Sequence, residues 1–218
     1  MAKTKSFFVG DVKGGQHVGY RLFFGDLAEA RGFNDDDKRK YSVTVLIPKE
    51  DKAGIKRVKD AVKAAIDSTD WSAKAKAQVL KTAFDDDNGY NDYAILKDGD
   101  LWNARAVDEG KEAYPQREGH YTLKMSRKES FGPPAVVDAD ANPIPAMHID
   151  GEVQRGYWIN VNAQVYCYDF QGKKGVSMQF DAVQKVREDE VFGQSNPFEP
   201  VDFGDDTGDD PFSDLDES

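Results

Sequence analysis

The residues best suited to do chemistry lie on one face of a predicted strand, residues 157–170. Its odd-numbered positions are apolar between the ends, so we expect them in the core. Its even-numbered positions carry aromatic rings and neutral amides without a charge: Trp158, Asn160, Asn162, Gln164, Tyr166, Tyr168 and Phe170. Aromatic rings stack on nucleobases of any sequence, and amides can hydrogen-bond to base edges or sugars. The pattern therefore predicts a platform for single-stranded nucleic acid.

Further candidates for contacting a bound strand are predicted near this platform. They are Arg21, Phe23, Lys124, Lys128, Arg155, Lys173 and Lys174. The first two lie on the non-core face of a strand at 20–24, and the next two on that of a strand at 120–128. The last two cap a predicted hairpin turn, 172–175. A positive groove with aromatic rings suits a sequence-tolerant binder of single strands.

Two alternatives stay open for these residues. The even-numbered face could pack against predicted helices, which need a surface to cover. Each lysine could equally be a solvated surface residue.

Strands make up most of the elements that must position these residues. Alternation predicts strands at 20–24, 41–47, 120–128, 136–137, 157–170 and 176–180, the last with an optional extension to 186. In the first of them, Tyr20, Leu22 and Phe24 share the other face. Helical spacing from Ile55 to Ile66, and a second helix capped by Ser72, predict a helical insertion at about 50–83.

We therefore expect a mainly β protein with a helical insertion. Residues 1–187 are expected to form a five-stranded antiparallel OB-fold barrel. Residues 90–118 mix aromatic residues, charges and glycines, and are interpreted as an irregular insertion.

The net charge of −11 is very unevenly distributed. Residues 188–218 contain twelve acidic residues and no Lys or Arg. Since these twelve belong to the 40 acidic residues of the chain, 28 acidic residues remain in 1–187 against all 29 basic ones. The body is thus close to neutral, and the acidic charge does not argue against a nucleic-acid partner. Such an asymmetry indicates an interaction tail.

The tail, residues 188–218, is expected to be disordered, because Pro, Gly, Asp and Ser dominate it from Gly193 on. Isolated phenylalanines among its acids suit docking into a partner's pocket with a basic rim. The same acids could compete with DNA phosphates for the protein's own groove. A purely solubilising tail, and an acidic protein-interaction or assembly factor that binds no nucleic acid, remain alternatives. The second of these leaves the aromatic and amide strand unexplained.

Catalysis is not indicated by the sequence, and we expect no enzyme, cofactor or metal. The three histidines lack metal-ligand spacing, and the run 85–89 (DDDNG) lacks the spacing of a calcium loop. Neither a phosphate-binding glycine loop nor a nucleophile motif is present. The single cysteine, Cys167, suits a reducing cytoplasm. We find no secretory signal and no membrane-spanning stretch, so a cytoplasmic protein without a membrane partner is expected.

Several segments resemble the single-stranded DNA-binding proteins of tailed bacteriophages. They are the strand 41–48 before a lysine-rich helix, the run 136–138, Gly151 before the long strand, and the runs 175–179 and 183–186. The resemblance covers most of residues 16–218. It implies an OB-fold that coats single strands in the infected cell during DNA replication, recombination and repair. It also implies tail contacts with replication proteins such as polymerase or helicase; a homodimer is possible.

The end of the tail departs from the family pattern. Tails of this family end on phenylalanine, whereas here Asp209, Asp210 and Phe212 are followed by residues 213–218. These three residues are the candidates for partner binding.

Overall fold

One large sheet with flanking helices makes up most of the computed structural model, which describes residues 6–32 and 38–193. The strands are β1 Phe7–Val9, β2 Val12–Lys13, β3 Gln16–His17, β4 Tyr20–Arg31, β5 Lys40–Pro48, β6 Leu96–Asp98, β7 His120–Lys128, β8 Ala135–Val137, β9 Trp158–Phe170 and β10 Lys173–Arg187. The helices are α1 Lys52–Asp67, α2 Ala73–Phe84, α3 Gly99–Asp108 and α4 Ile149–Glu152. Helices α1 and α2 lie in the region where the sequence predicts helices.

The strand order in the eight-stranded sheet is β6-β7-β5-β4-β9-β10-β8, with β1 paired to β9 beside this path. All its pairs are antiparallel except β8 with β10. The prediction of a mainly β protein with helices is confirmed. The prediction of a five-stranded barrel is not confirmed, because the sheet has eight strands and an open order. Strands β7 and β10 still approach each other, and the Arg127 guanidinium binds the Asp181 carboxylate there.

The core lies on the odd-numbered face of β9, as predicted. The residues from Ile159 to Cys167 on that face are buried. Helix α1 packs its apolar side, including Val58 and Val62, into the same cluster. Burial of this apolar area is the main stabilising contribution to the fold. No helix in the described residues is long and apolar enough to cross a membrane.

A β-bulge in β4 changes which side chains face outward. Leu22 pairs with Val45 and Phe24 pairs with Thr44, so Phe23 is an extra residue without a partner. Phe24 therefore lies on the outer face with Arg21, whereas strict alternation predicts it on the face of Tyr20 and Leu22. The sequence-based assignment of Phe24 is wrong because alternation fails at a bulge.

The β9–β10 hairpin turn also differs from its prediction. Phe170 pairs with Lys173, so the loop is the two residues Gln171 and Gly172. Their φ angles are 52° and 79°, as tight two-residue hairpin turns require. The prediction of a turn at 172–175 is wrong, and Gly175 lies inside β10.

The region 90–118, interpreted as irregular, is irregular only at 90–95, 109–114 and 118. It contains β6, α3 and a single 3-10 turn, Pro115–Arg117. Asp98 caps α3 by accepting hydrogen bonds from the backbone N–H groups of Asp100 and Leu101. The buried Asn103 then binds both backbone groups of Tyr114, at 2.8 and 3.1 Å. These contacts hold the segment after α3 against the outer face of the sheet.

Candidate nucleic-acid interface

The open groove lies on the outer face of β4, β5 and β7, with α3 and the turn 115–117 as one wall. It encloses about 450 Å³. Its aromatic and basic lining residues are Phe23, Phe24, Lys97, Trp102, Arg117, Lys124 and Arg155. Four segments distant in sequence, 23–24, 97–102, 117–124 and Arg155, thus contribute these residues to one concave surface.

Three cations of the open groove, Lys97, Arg117 and Arg155, lie against aromatic rings. The Arg155 guanidinium carbon lies 4.8 Å from the centre of the Phe24 ring, and that of Arg117 lies 5.1 Å from the Phe23 ring. The Lys97 ammonium lies 4.1 Å from the Trp102 ring. Such cation–π contacts hold a charge near a ring face without neutralising it.

Four cations of the open groove have no ion-pair partner among the described residues: Lys97, Arg117, Lys124 and Arg155. Burial lowers the pKa of Lys97; the Asp92 and Asp86 carboxylates raise it and offset only part of this effect, and the charges of Lys124 and Arg105 lower it again. Burial likewise lowers the pKa of Arg117. A cluster of like charges without ion-pair partners costs folding free energy, and it provides a site for an anion.

Among the described residues, one carboxylate lines the open groove, that of Asp26. It accepts a hydrogen bond of 2.9 Å from the Ser42 hydroxyl and lies 3.4 Å from the Arg31 guanidinium. These two partners satisfy Asp26, so it does not neutralise the four unpaired cations.

The groove continues past Lys97 and Lys124 into the gap between β7 and β10. Those two lysines also line this gap, together with Tyr93 and Tyr168. Tyr93 and Tyr168 in turn line a further cavity, the hairpin pocket, whose other residues include Val79, Ala83, Phe170, Lys173 and Lys174. The open groove, the gap and the hairpin pocket thus form one continuous surface.

The sequence-predicted residues of the hairpin end come together at this pocket. Tyr168 stacks on Tyr166 with ring centroids 6.1 Å apart, and the Phe170 ring is exposed. Lys173 is exposed and has no ion-pair partner in the described part of the chain. Lys174 pairs with Asp169.

Other sequence-predicted residues lie elsewhere on the outer face. Asn162 is exposed and lies opposite Phe8 of β1. Gln164 is partly buried and donates a hydrogen bond of 2.6 Å to Asp181. Lys128 is exposed at the end of β7, away from the open groove.

Two predicted positions are not accessible as expected. Asn160 is 4% exposed, because Gly10 lies directly over its side chain; its amide donates to Gln184 at 3.1 Å. Phe23 is 3% exposed, because Tyr114 and Arg117 cover its ring. The expectation that Asn160 and Phe23 are accessible to a bound strand is wrong. Alternation along a strand does not reveal which other residues pack over it.

The first residues of the acidic tail cover the Arg21 and Trp158 end of the outer face. We name residues 189–192 the strap. The Asp189 carboxylate accepts a hydrogen bond of 2.5 Å from the Trp158 indole, and the Arg21 guanidinium donates to the backbone oxygen of Glu190 at 2.8 Å.

Phe192 anchors the other end of the strap. The Arg21 guanidinium carbon lies 4.3 Å from the centre of the Phe192 ring. The backbone N–H of Phe192 donates a hydrogen bond of 3.0 Å to the Arg155 carbonyl. Gly156, with φ of 96°, leaves room for the strap, since a Cβ there would lie 2.1 Å from the Glu190 oxygen. Arg21 and Trp158 are thus already bound by the chain's own residues.

Sequence reasoning missed six residues of the surface or its wall: Phe24, Tyr93, Lys97, Trp102, Tyr114 and Arg117. The first was hidden by the bulge, and the other five lie in the segment interpreted as irregular. A usable signal was present, because that segment combines aromatic and basic residues with a capping aspartate, Asp98.

The chain matches a known protein family over most of its length. Residues 12–212 match the family model described as "Enterobacter phage Enc34, ssDNA-binding protein". The chain belongs to this family. The resemblance seen in the sequence segments is therefore confirmed, and it extends over nearly the whole chain.

Individual members of the comparison are distant in sequence. The p50 protein of Acyrthosiphon pisum secondary endosymbiont phage 1 is 28% identical over 172 residues, covering 79% of this chain and 82% of p50. The single-stranded DNA-binding protein of bacteriophage Enc34, solved in complex with ssDNA, gives a TM-score of 0.58 at 19% identity, covering 81% of this chain and 88% of that one. Another structure of the Enc34 protein gives 0.54 at 19% identity, with 83% and 84% covered. These structures share the fold of this chain.

Proposed function

We propose that this protein binds single-stranded DNA with little sequence preference along the open groove and its continuation to the hairpin pocket. The observation that carries the proposal is the set of four unpaired cations in the open groove, three of which, Lys97, Arg117 and Arg155, lie against aromatic rings. Phosphates would neutralise Lys97, Arg117, Lys124 and Arg155, and bases would stack on the rings. The family membership and the Enc34 protein's complex with ssDNA support this assignment.

The proposed role is to coat and protect single strands during phage DNA replication, recombination and repair in the cytoplasm of the infected host. It requires no catalysis, metal or cofactor. The boundary between a DNA-binding domain, 1–187, and an acidic tail, 188–218, belongs to the same proposal.

The acidic tail is proposed to contact replication proteins such as polymerase or helicase and to compete with DNA. Asp209, Asp210 and Phe212, the partner-binding candidates, lie outside the described residues. Competition is supported by the strap, in which the Asp189 carboxylate contacts Trp158 and Arg21, the Glu190 backbone oxygen accepts from Arg21, and the Phe192 N–H binds the Arg155 carbonyl at the edge of the open groove.

Titration of labelled oligo-dT at several salt concentrations tests the binding. Each phosphate neutralised on a single strand contributes about −0.7 to the slope of log affinity against log salt. Four groove cations therefore predict a slope of log affinity against log salt of about −3. No binding at low salt would contradict the proposal and favour an acidic protein-interaction factor instead.

Truncation after Arg187 tests the competition. The affinity for oligo-dT should rise, because the strap and the remaining acids are removed together. Circular dichroism checks that the shortened chain remains folded. An unchanged or lower affinity in a folded truncated chain would exclude competition.

A further inference from the structure

We infer that the hairpin pocket, between α2 and the β9–β10 hairpin, binds a nucleobase of the DNA strand as a second stacking site. The inference rests on the proposed function. It adds a defined subsite, which includes Tyr93, beyond the gap that joins it to the open groove.

The shape of the hairpin pocket suits a flat ring. It encloses about 400 Å³, within the range of about 300–1,000 Å³ typical of small-ligand pockets. Val79 and Ala83 of α2 form an apolar wall. Tyr93 and Phe170 line the pocket with rings that are 72% and 67% exposed. Two aromatic rings left this open to water are typical of a binding site.

Tyr168 is held in place as a further wall of the pocket. Its ring lies directly over Gly175. A Cβ at that position would lie only 2.3 Å from the ring, so the ring fits there because residue 175 is a glycine. Burial raises the pKa of Tyr168, and the neighbouring Tyr93 and Tyr166 hydroxyls add to the effect. A side chain at residue 175 would displace the ring. The glycine inside β10, rather than in the turn, therefore serves to position Tyr168.

Charge in the pocket favours an anionic ligand such as a nucleotide over a basic peptide. Its lining contains no carboxylate among the described residues. Lys174 is neutralised by Asp169, whereas Lys173 has no ion-pair partner in the part of the chain described. Lys173 is therefore available for the phosphate next to a stacked base.

Continuity with the open groove identifies the base as one of the same bound strand. Lys97 and Lys124 line both the open groove and the gap, and Tyr93 and Tyr168 line both the gap and the hairpin pocket. Cations and aromatic rings thus both line the path, as single-stranded DNA requires, and Asp92 is the carboxylate that lines the gap among the described residues.

The test uses Tyr93→Ala and Phe170→Ala in the full chain, with Tyr90→Ala as a matched control that removes a half-exposed tyrosine outside the path. Affinity is measured for oligo-dT of about 16 and about 4 nucleotides, the limits of known OB-fold site sizes. Loss of one stacked base should lower affinity for the long oligonucleotide by about five- to hundredfold. The short one should bind almost as in the parent, since the open groove alone can hold it.

A second readout is the fluorescence of 2-aminopurine placed at successive positions of the long oligonucleotide. At least one position should be quenched by the parent protein and the control, and released by Tyr93→Ala. Gly175→Ala, which retains every aromatic residue, should release the same position, with thermal unfolding used to check the fold.

Distinct results separate the failures. If the parent binds neither oligonucleotide, the proposed function fails. If the parent binds but Tyr93→Ala and Phe170→Ala match it at both lengths, only the pocket inference fails. Tighter DNA binding by Tyr93→Ala would mean that the tail occupies the pocket. If Tyr93→Ala changes the sedimentation of the protein but not its DNA affinity, a second copy of the chain occupies the pocket. Each of these two results overturns the inference.

Discussion

The two ends of the outer face carry similar residues in very different states. In the open groove, Lys97, Arg117 and Lys124 have no carboxylate partner among the described residues. At the other end, Arg21 and Trp158 are bound by the strap. A basic or aromatic residue of this face is therefore available to DNA only when no acidic residue or backbone oxygen of the protein already binds it.

This difference has an energetic consequence. A strand entering the open groove displaces no ion-paired carboxylate of the described residues from Lys97, Arg117 or Lys124. A strand reaching Arg21 must first break the strap's hydrogen bonds, each worth about 0.5–1.5 kcal/mol net. We therefore expect the open groove to dominate affinity and the strap end to modulate it.

The largest effect is expected from Lys97→Ala combined with Lys124→Ala. Removing two unpaired cations should lower the affinity for oligo-dT by about ten- to hundredfold and reduce the salt slope by about 1.4, because two phosphate contacts are lost. Fluorescence anisotropy at several salt concentrations measures both quantities. Lys56→Ala with Lys63→Ala, which removes two ion-paired lysines of α1, is the control. Equal losses in the two double variants would contradict the comparison.

Phe24→Ala should give the next largest loss, about five- to hundredfold for one base stack. Trp158→Ala should cost less, because Asp189 and Arg187 already engage its ring. Equilibrium titration with oligo-dT ranks the two variants. Phe131→Ala, at an exposed ring outside the groove, serves as the control. A larger loss for Trp158→Ala would show that the strap leaves under working conditions.

Asp189→Asn should raise affinity by a few-fold. The change weakens the strap, because the side chain loses its charge toward Arg21 and Arg187, and it frees a cationic surface. Asp70→Asn removes the same charge at an exposed position distant in sequence from the strap and serves as the control. Equal effects of the two substitutions would mean that only net charge matters.

The smallest effect concerns pH. Burial lowers the pKa of Lys97, so this lysine loses its charge earlier than an ordinary one as pH rises. DNA affinity should therefore begin to fall at a pH below the usual range of lysine. Lys97→Arg should keep its charge and flatten that part of the profile. The idea fails if the two profiles coincide through the alkaline range.

Sequence periodicity was sufficient for the long elements. The strand β7 was predicted at the bounds observed, and the buried face of β9 was identified from alternation alone. Both are local patterns set by the two-residue period of a strand. The family resemblance followed from such segments and the composition of the tail.

Periodicity failed where structure depends on a partner distant in sequence. Nothing local marks the extra residue at Phe23, the two-residue turn at Gln171, or the cover that Gly10 provides over Asn160. Helix α3 is short, and its apolar pattern is weak.

The sequence by itself determined the class of fold, the core face of the longest strand and the separation of acidic charge from a neutral body. Tertiary structure alone decided which cations are free. Lys97 and Arg117 meet Lys124 only because α3 and its flanking segments fold over the sheet, and Arg21 meets Glu190 only because the strap returns to β4. Ion pairing depends on distances between residues far apart in the chain, and a linear pattern does not contain those distances.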